Sequence, residues 1–257
     1  MIELTNSHCH TGNSDGCLSV LETAQFGIQK GLKHLYITDH HIPRNTKFDF
    51  SLVFPDYFEE IESAKAQLSG QIGLYKGVEL DWIQGYETWF EEQAKREFDF
   101  VLGSIHTVTK EFVYGMEFPI KTHKIYVKEY FKQMRRLATS GLADSIAHLD
   151  LVKFCANESE PYYREEVERT LEAIAKSKTA IEINTSGKRK SLAEFHPSSW
   201  ILKKAFKLGI PLTLGADTHN ARDHIDYELV EAYALARTTG YRSILRFENR
   251  KPIEMAI

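Results

Sequence analysis

Histidine, aspartate and glutamate recur in this sequence in small groups that lie at the ends of short apolar segments. Seven of the eleven histidines belong to these groups, and the predicted helices are nearly free of histidine. Imidazole nitrogens and carboxylate oxygens suit Zn²⁺, Mn²⁺ or Fe²⁺. The grouped residues are His8, His10, Asp15, Asp39, His40, His41, Glu79, Asp81, His106, His148, Asp150, Asp217 and His219. Their coincidence predicts a cluster of divalent metals.

Two of these groups have a spacing that defines their geometry. His8 and His10 are two residues apart in a predicted strand, so both rings should project from one face. Asp217 and His219 repeat that spacing near the other end of the chain. Taken singly, a strand histidine such as His106 is more often a hydrogen-bonded structural residue than a ligand. The prediction therefore depends on the whole set.

The chemical groups must be positioned by the segments around them, which alternate between short apolar and longer amphipathic runs. The apolar runs predict strands near Glu3–His10, His34–His40, Ile72–Trp82, Phe100–His106, Ala143–Asp150, Ala180–Thr185 and Pro211–His219. The amphipathic runs predict helices near Ser19–Gly31, Tyr57–Ser69, Tyr86–Phe98, Ile125–Gly141, Tyr163–Ser177, Ser199–Gly209 and Tyr227–Gly240. Several of these helices end at glycine, a residue common just past a helix C-terminus.

Seven strands that each precede a helix indicate parallel pairing with right-handed crossovers. An open doubly wound sheet and a closed barrel both satisfy this pattern. The barrel is favoured because the metal-binding residue types fall at the carboxyl ends of the strands, where barrel enzymes build their sites. A barrel would also bring the last strand beside the first, and with it Asp217 and His219 beside His8 and His10.

The composition is that of an ordinary globular enzyme. The 257 residues are 42% hydrophobic and 26% charged, which predicts a single α/β domain over residues 1–257. A net charge of −4 gives no general attraction to nucleic acid or to an anionic membrane. Three unpaired-looking cysteines, no apolar leader and no apolar run of about 20 residues predict a cytoplasmic protein. The oligomeric state is left open.

Six ordered motifs resemble those of the polymerase and histidinol phosphatase (PHP) superfamily. The resemblance extends from residue 8 to about residue 224. The motifs are His8-Cys9-His10, Thr38-Asp39-His40, Gly77-Val78-Glu79, Gly103-Ser104-Ile105-His106, Ala147-His148-Leu149-Asp150 and Gly215-Ala216-Asp217-Thr218-His219. The resemblance implies a distorted seven-stranded (β/α)7 barrel, a TIM-like PHP fold, holding two or three divalent metals. Asn6-Ser7 and Ala216 depart from the usual pattern, but neither change involves an expected ligand.

The resemblance also implies how the ligands are divided. One metal would be bound by His8, His10, Glu79 and Asp217, and a second would share Glu79 and add His106 and His148. A third would be bound by Asp15, His40 and His219. Within the superfamily, Asp15 and the segment Glu182–Lys190 resemble the histidinol-phosphate phosphatase branch.

These expectations lead to roles for individual residues. Divalent metals lower the pKa of a bound water and so supply a nucleophile for attack on phosphorus. The catalytic residues expected are Glu79, Asp217, His219 and Asp39, with Asp39 and Asp150 orienting imidazoles. The residues expected to contact the substrate are Arg189, Lys188, Arg164 and His41. A run of basic residues such as Lys188–Lys190 is more often a solvated loop, and its position after a strand is what favours phosphate binding.

The activity implied is hydrolysis of L-histidinol phosphate, a small phosphate monoester, in histidine biosynthesis. One alternative is a PHP phosphoesterase for another substrate, such as a nucleotide, an oligonucleotide or a phosphotyrosine peptide. The low basic charge makes a nucleic-acid partner less favoured. A non-catalytic metal-binding protein is the other alternative, and it is opposed by the presence of every expected ligand.

Overall fold

The computed structural model describes residues 3–44, 46, 50–108, 111–113 and 120–257. The strands of the described residues, in chain order, are β1 (Thr5–Asn6), β2 (His34–Ile37), β3 (His40–His41), β4 (Gly73–Asp81), β5 (Phe100–Ser104), β6 (Thr107–Val108), β7 (Glu111–Phe112), β8 (Ser145–Ile146), β9 (Ala180–Asn184), β10 (Leu212–Gly215), β11 (Ser243–Glu248) and β12 (Lys251–Ala256). The main sheet is a series of seven parallel strands, in which the short β2 and β3 occupy one place, and two antiparallel pairs, β6-β7 and β11-β12, lie outside it.

The sheet curls until its first and last strands meet. Its spatial order is β1-β2-β4-β5-β8-β9-β10, with β2 and β3 pairing successive parts of β4. The seam between β10 and β1 is joined by a hydrogen bond from Ser7 N to Leu214 O (2.9 Å) and by a parallel bridge between Cys9 and Thr218. The prediction of a seven-stranded barrel is confirmed, and the open-sheet alternative is excluded.

All seven predicted helices are present, each within a few residues of its predicted bounds. Ser19 begins the first with a capping box, in which Ser19 and Glu22 each satisfy the other's backbone N–H. A short helix and two 3₁₀ turns, Leu151–Phe154 and Ser186–Arg189, were not predicted. The α-helices are α1 (Val20–Gln29), α2 (Asp56–Gln67), α3 (Glu87–Ala94), α4 (Ile120–Ser140), α5 (Pro161–Ser177), α6 (Ser199–Lys207), α7 (Ala221–His224) and α8 (Leu229–Thr239).

Several regular strands are shorter than the apolar runs that predicted them. The run Glu3–His10 contains only two residues of strand, and so does Ala143–Asp150. After these strands the backbone bends, and the bends direct side chains toward the carboxyl end of the barrel. His148 and Asp217 have φ of 25° and 50°, a region that residues with side chains rarely occupy. A period-two pattern cannot predict such bends.

Alternation along the strands separates the core from the interior of the barrel. In β4, Leu74, Val78 and Leu80 pack in the large core cluster. Tyr75, on the opposite face, packs in a smaller cluster with Tyr36, Phe100 and Phe247. Glu79 shares the parity of Tyr75 but lies at the other end of the strand. The interior is therefore apolar at one end and polar at the carboxyl end.

A C-terminal hairpin that the sequence did not predict closes the apolar end. Strands β11 and β12 pair antiparallel over six residues each. Phe247 packs into the interior cluster, and its backbone N–H and C=O both bond to the Tyr36 hydroxyl, at 2.8 and 2.6 Å. The polar end of the barrel remains available for a site. Among the described residues, no helix is long and apolar enough to cross a membrane.

Candidate metal centre

Side chains from both ends of the chain and from most of the parallel strands converge at the carboxyl end of the barrel. They follow β1, β2, β5, β8 and β10 or lie on β3 and β4. Seven of them are buried or nearly so, whereas Asp15 and His219 keep 33% and 39% of their side-chain surface exposed. The converging residues are His8, His10, Asp15, His40, Glu79, His106, His148, Asp217 and His219.

Glu79 lies at the centre, and its two oxygens face different histidines. Oε2 is 2.9 Å from His40 Nδ1 and 3.3 Å from His8 Nε2. Oε1 is 3.2 Å from His148 Nε2 and 3.6 Å from His106 Nε2. The two oxygens of Glu79 therefore face different sets of histidines.

The two residue pairs that were expected to meet across the barrel seam do so. His8 Nε2 and His10 Nε2 are 3.1 Å apart. Asp217 Oδ1 is 3.9 Å from the first nitrogen and 3.7 Å from the second. It also lies 3.4 Å from His219 Nδ1. The seam therefore places both pairs in one cluster.

Asp15 completes the exposed side of the cluster. Its carboxylate lies 3.3 Å from His219 Nε2, 3.7 Å from His40 Nε2 and 3.6 Å from His10 Nδ1. The loop that carries Asp15 is held by Asp39, which accepts hydrogen bonds from Thr11 N and Ser14 Oγ, both at 2.7 Å. Asp39 thus positions the loop of Asp15.

The donor set fits divalent metals. Three groups each bring one nitrogen or oxygen atom per residue within 4.8 Å of one another. Glu79 Oε2 and His10 Nδ1 are buried without a hydrogen bond, a costly state that a cation would relieve. Nitrogen and oxygen ligands without thiolates suit Zn²⁺, Mn²⁺ and Fe²⁺. The groups are His8, His10 and Asp217; His40, Glu79 and His106; and His10, Asp15, His40 and His219.

The carboxylates and imidazoles of the cluster shift one another's pKa values. Burial lowers the pKa of His8, but the negative charges of Glu182 and Glu79 raise it well above its usual value. Burial alone would raise the pKa of Glu79, but His40 and His8 hold it well below its usual range. The pKa of Asp217 is likewise held low against its burial, by His8 and Lys190. Burial and neighbouring His40 lower the pKa of His10, which keeps that ring neutral. Metals bind carboxylates and neutral imidazoles, so metal binding would release protons from the histidines whose pKa is raised.

Other buried polar groups orient the converging residues. Asp81 Oδ1 accepts from His106 N at 3.0 Å and lies 3.5 Å from His106 Nδ1. Ser186 Oγ donates to Asp217 Oδ2 at 2.8 Å. Glu182 Oε1 lies 2.8 Å from His8 Nδ1. Sequence analysis gave Glu182 no role, although its place two residues before Asn184 on an apolar strand marks both as interior positions.

Asp150 orients a histidine, but not one of the nine. Its Oδ1 lies 2.6 Å from His196 Nδ1, and its Oδ2 accepts from Ser198 N at 2.8 Å and lies 3.2 Å from Lys153 Nζ. The ring of His196 lies 6.5 Å from that of His148. This buried network supports the loop between β9 and α6, beside the cluster.

Two residues expected to contact the substrate lie in other surroundings. Both ring nitrogens of His41 are engaged, by Gln93 Oε1 at 3.2 Å and by Leu52 N at 3.1 Å. Burial lowers the pKa of His41 to about 4, so the ring is neutral at pH 7. The guanidinium of Arg164 lies 4.9 Å from the Trp200 ring, on the exposed face of α5. Neither residue joins the cluster through these contacts.

The three basic residues after β9 separate into different environments. Arg189 donates to the carbonyl oxygens of Ala216 (3.0 Å) and Asp217 (2.8 Å). Lys188 Nζ lies over the Phe195 ring at 5.4 Å. Lys190 is half-buried, and burial lowers its pKa although the negative charges of Asp217 and Glu79 raise it. Its Nζ lies 5.9 Å from the centre of the Phe154 ring.

Comparison with known proteins gives a consistent match. The model of one protein family, the PHP domain, matches residues 6–186. A probable histidinol-phosphatase of Deinococcus radiodurans is 30% identical over 266 residues, covering 98% of this chain and 99% of the relative. The crystal structure of histidinol phosphate phosphatase from Lactococcus lactis, complexed with zinc, L-histidinol and phosphate, superposes with a TM-score of 0.86. It is 26% identical, and the match covers 98% of this chain and 100% of that one.

A further relative is named for activities on DNA instead of on histidinol phosphate. The DNA polymerase/3′-5′ exonuclease PolX of Bacillus subtilis is 26% identical over 252 residues. The match covers 96% of this chain but 40% of that protein. The shared region is therefore one part of a larger enzyme there.

Proposed function

This chain belongs to the PHP domain family, and we propose that it is a metal-dependent phosphomonoesterase that hydrolyses L-histidinol phosphate to L-histidinol and phosphate. The observation that carries the proposal is the nitrogen and oxygen cluster at the barrel mouth, in a fold that matches the Lactococcus enzyme over nearly its whole length. This activity would place the chain in histidine biosynthesis.

The cluster would hold two or three divalent ions, of zinc, manganese or iron. His8, His10, Glu79 and Asp217 would hold the first. Glu79 with His106 and His148 would hold the second, and Asp15, His40 and His219 the third. When bound, such ions lower the pKa of a bound water and neutralise charge on phosphoryl oxygens.

The residues of the cluster divide into an enclosed and an accessible side. Glu79, His8 and His148 are buried, which supports a role in holding the ions close together. Asp15 and His219 are the most exposed of the nine, and Asp217 lies between them and the enclosed side. The phosphate would enter at the exposed side, with Asp39 holding the loop of Asp15.

A phosphate dianion also needs a cation from the protein, and Lys190 is our candidate for binding it. Its positive charge interacts with the carboxylates of Asp217 and Glu79, and its Nζ lies 5.9 Å from the centre of the Phe154 ring. An ammonium at the edge of a metal site can donate to a phosphoryl oxygen in a charge-assisted hydrogen bond. Arg189 would act indirectly, because it donates a hydrogen bond to the backbone oxygen of Asp217.

The test is phosphate release by protein supplied with Zn²⁺ or Mn²⁺. Histidinol phosphate, p-nitrophenyl phosphate, a nucleoside monophosphate and a short oligonucleotide are compared at equal concentration. The proposal expects kcat/KM for histidinol phosphate to exceed that for the generic ester. Preference for the nucleotide or the oligonucleotide would instead favour an activity nearer to the polymerase-associated relative. No release from any substrate, with metals shown to be bound, would contradict an enzymatic role.

A further inference from the structure

Glu182 is a fully buried carboxylate below the metal cluster, and it has no part in the function proposed above. It lies on β9, where Ile181 and Ile183 face the core and Glu182 faces the barrel interior. Its Oε1 lies 2.8 Å from His8 Nδ1. Its Oε2 accepts from His148 N at 3.1 Å and from Asn184 Nδ2 at 2.9 Å. A single side chain thus contacts two residues of the cluster.

The contact with His8 determines which ring nitrogen faces the metals. An ionised carboxylate accepts hydrogen bonds and offers none, so Nδ1 of His8 must carry the proton. In the neutral ring that binds a metal, the lone pair then lies on Nε2, the atom that faces His10 Nε2 and Glu79 Oε2. A histidine that binds metal commonly donates its other ring N–H to a carboxylate, which fixes the tautomer and the ring orientation.

The chain leaves room for this contact at Gly215. In the sheet, β10 lies between β9 and the first strand, so Glu182 must reach past β10 to touch His8. A β-carbon at position 215 would overlap Glu182 Oε1 and would lie 2.5 Å from His8 Cβ. Glycine is therefore required there for steric reasons, although its own φ is not in the left-handed region.

The contact with His148 acts on the backbone. His148 has φ of 25°, a conformation that is unfavourable for a residue with a side chain. The hydrogen bond from its N–H to Glu182 Oε2 helps to hold this conformation. In it, the His148 ring reaches Glu79, with Nε2 3.2 Å from Oε1.

We propose that Glu182 is a positioning residue of the metal centre. It fixes His8 as the Nδ1–H tautomer and holds His148 in its strained backbone conformation, so that both rings present Nε2 to the metals. This inference rests on the metal centre of the proposed function. It is independent of which phosphate ester the protein hydrolyses.

One test reads the tautomer in the unaltered protein. The ring ¹⁵N shifts of His8, assigned by comparison with His8→Asn, distinguish the two tautomers in zinc-loaded and in metal-free protein. The proposal expects Nδ1–H in both states. A metal-free His8 ring that lacks a proton on Nδ1 and carries one on Nε2 alone would overturn it.

A second test measures metal retention in Glu182→Gln. The amide keeps the shape but replaces one acceptor by a donor, which must then face another donor. Zinc affinity, measured by competition with a chelator, should fall about 10- to 100-fold. The matched control is Glu166→Gln, a buried glutamate on α5 paired with Arg135 and remote from the cluster. Equal zinc retention by the two variants would overturn the proposal.

The proposal remains testable if the Glu182→Gln variant does not fold, or if the protein has no phosphatase activity. If Glu182→Gln does not fold, the tautomer measurement on the unaltered protein decides. Neither measurement uses a substrate, so the outcomes for the two proposals separate. Protein that binds zinc with His8 as Nδ1–H, yet releases no phosphate from histidinol phosphate, would contradict the proposed function and leave the role of Glu182 standing.

Discussion

Glu79 is the central residue of the cluster. Its buried carboxylate lies within 3.6 Å of nitrogen atoms from five histidines, and these come from four different strand ends. The family resemblance implies that two metals would share Glu79. The sequence could not show that each oxygen faces a different set of rings, because that depends on how the strands curl into a barrel.

Replacing Glu79 by glutamine should remove metal from the two proposed sites that share it. The amide nearly preserves the shape but loses the charge that holds two cations close together. Activity should fall at least about 10²- to 10³-fold, as when an electrostatic stabiliser of the transition state is removed. Elemental analysis after reconstitution should show a larger loss than in Asp15→Asn, because Asp15 belongs only to the third proposed site. A Glu79→Gln protein with the metal content and turnover of the unaltered protein would refute the bridge.

At the scale of elements, the regular parts were predictable and the irregular parts were not. Seven strands and seven helices followed from apolar periodicity, and their order gave the barrel. The C-terminal hairpin was missed because residues 243–256 follow the last helix and precede no further helix, so they do not fit the alternation of strand and helix on which the prediction was based. The turn Ser186–Arg189 was also missed, and it directs three consecutive basic residues to different environments. A charge run in a sequence shows that cations are present but not which of them faces the site.

The two neighbours Arg189 and Lys190 should therefore behave differently. Lys190→Ala should keep its metals and lose a charge-assisted contact of about 1.5–3 kcal/mol, or roughly 10- to 150-fold in kcat/KM. Arg189→Ala releases the carbonyl oxygens of Ala216 and Asp217, so it should lose metal and activity together. Arg189→Lys should recover part of both, because an ammonium cannot reproduce the planar fork.

Kinetics measured beside metal analysis separates the two roles. If Arg189→Ala keeps its metals and loses only kcat/KM, the phosphate contact that the sequence first suggested is correct for Arg189. If Lys190→Ala has unchanged kinetics, Lys190 is a solvated loop charge.

At the scale of the whole molecule, the metal centre lies on the seam that closes the barrel. The described backbone contacts across this seam include Ser7 N to Leu214 O, His10 N to Thr218 O and Thr218 N to His8 O. The ligand pairs on its two sides are His8 with His10 and Asp217 with His219. Metals bound by both pairs would join the first and last strands, so the cofactor and the closure of the fold would be coupled.

Removing the metals should therefore destabilise the protein, and the seam most of all. Ions that bind only the folded state stabilise it by about 4 kcal/mol at a free concentration of about 1,000 Kd. For a chain of this size, each kcal/mol corresponds to about 2–4 °C in Tm. Chelation should lower Tm accordingly, and added zinc should restore it. Hydrogen exchange should rise first in residues 7–10 and 214–218, while the hairpin of β11 and β12 at the opposite end keeps its protection. An unchanged Tm after verified metal removal, or a uniform loss of protection, would show that the barrel closes without help from its metals.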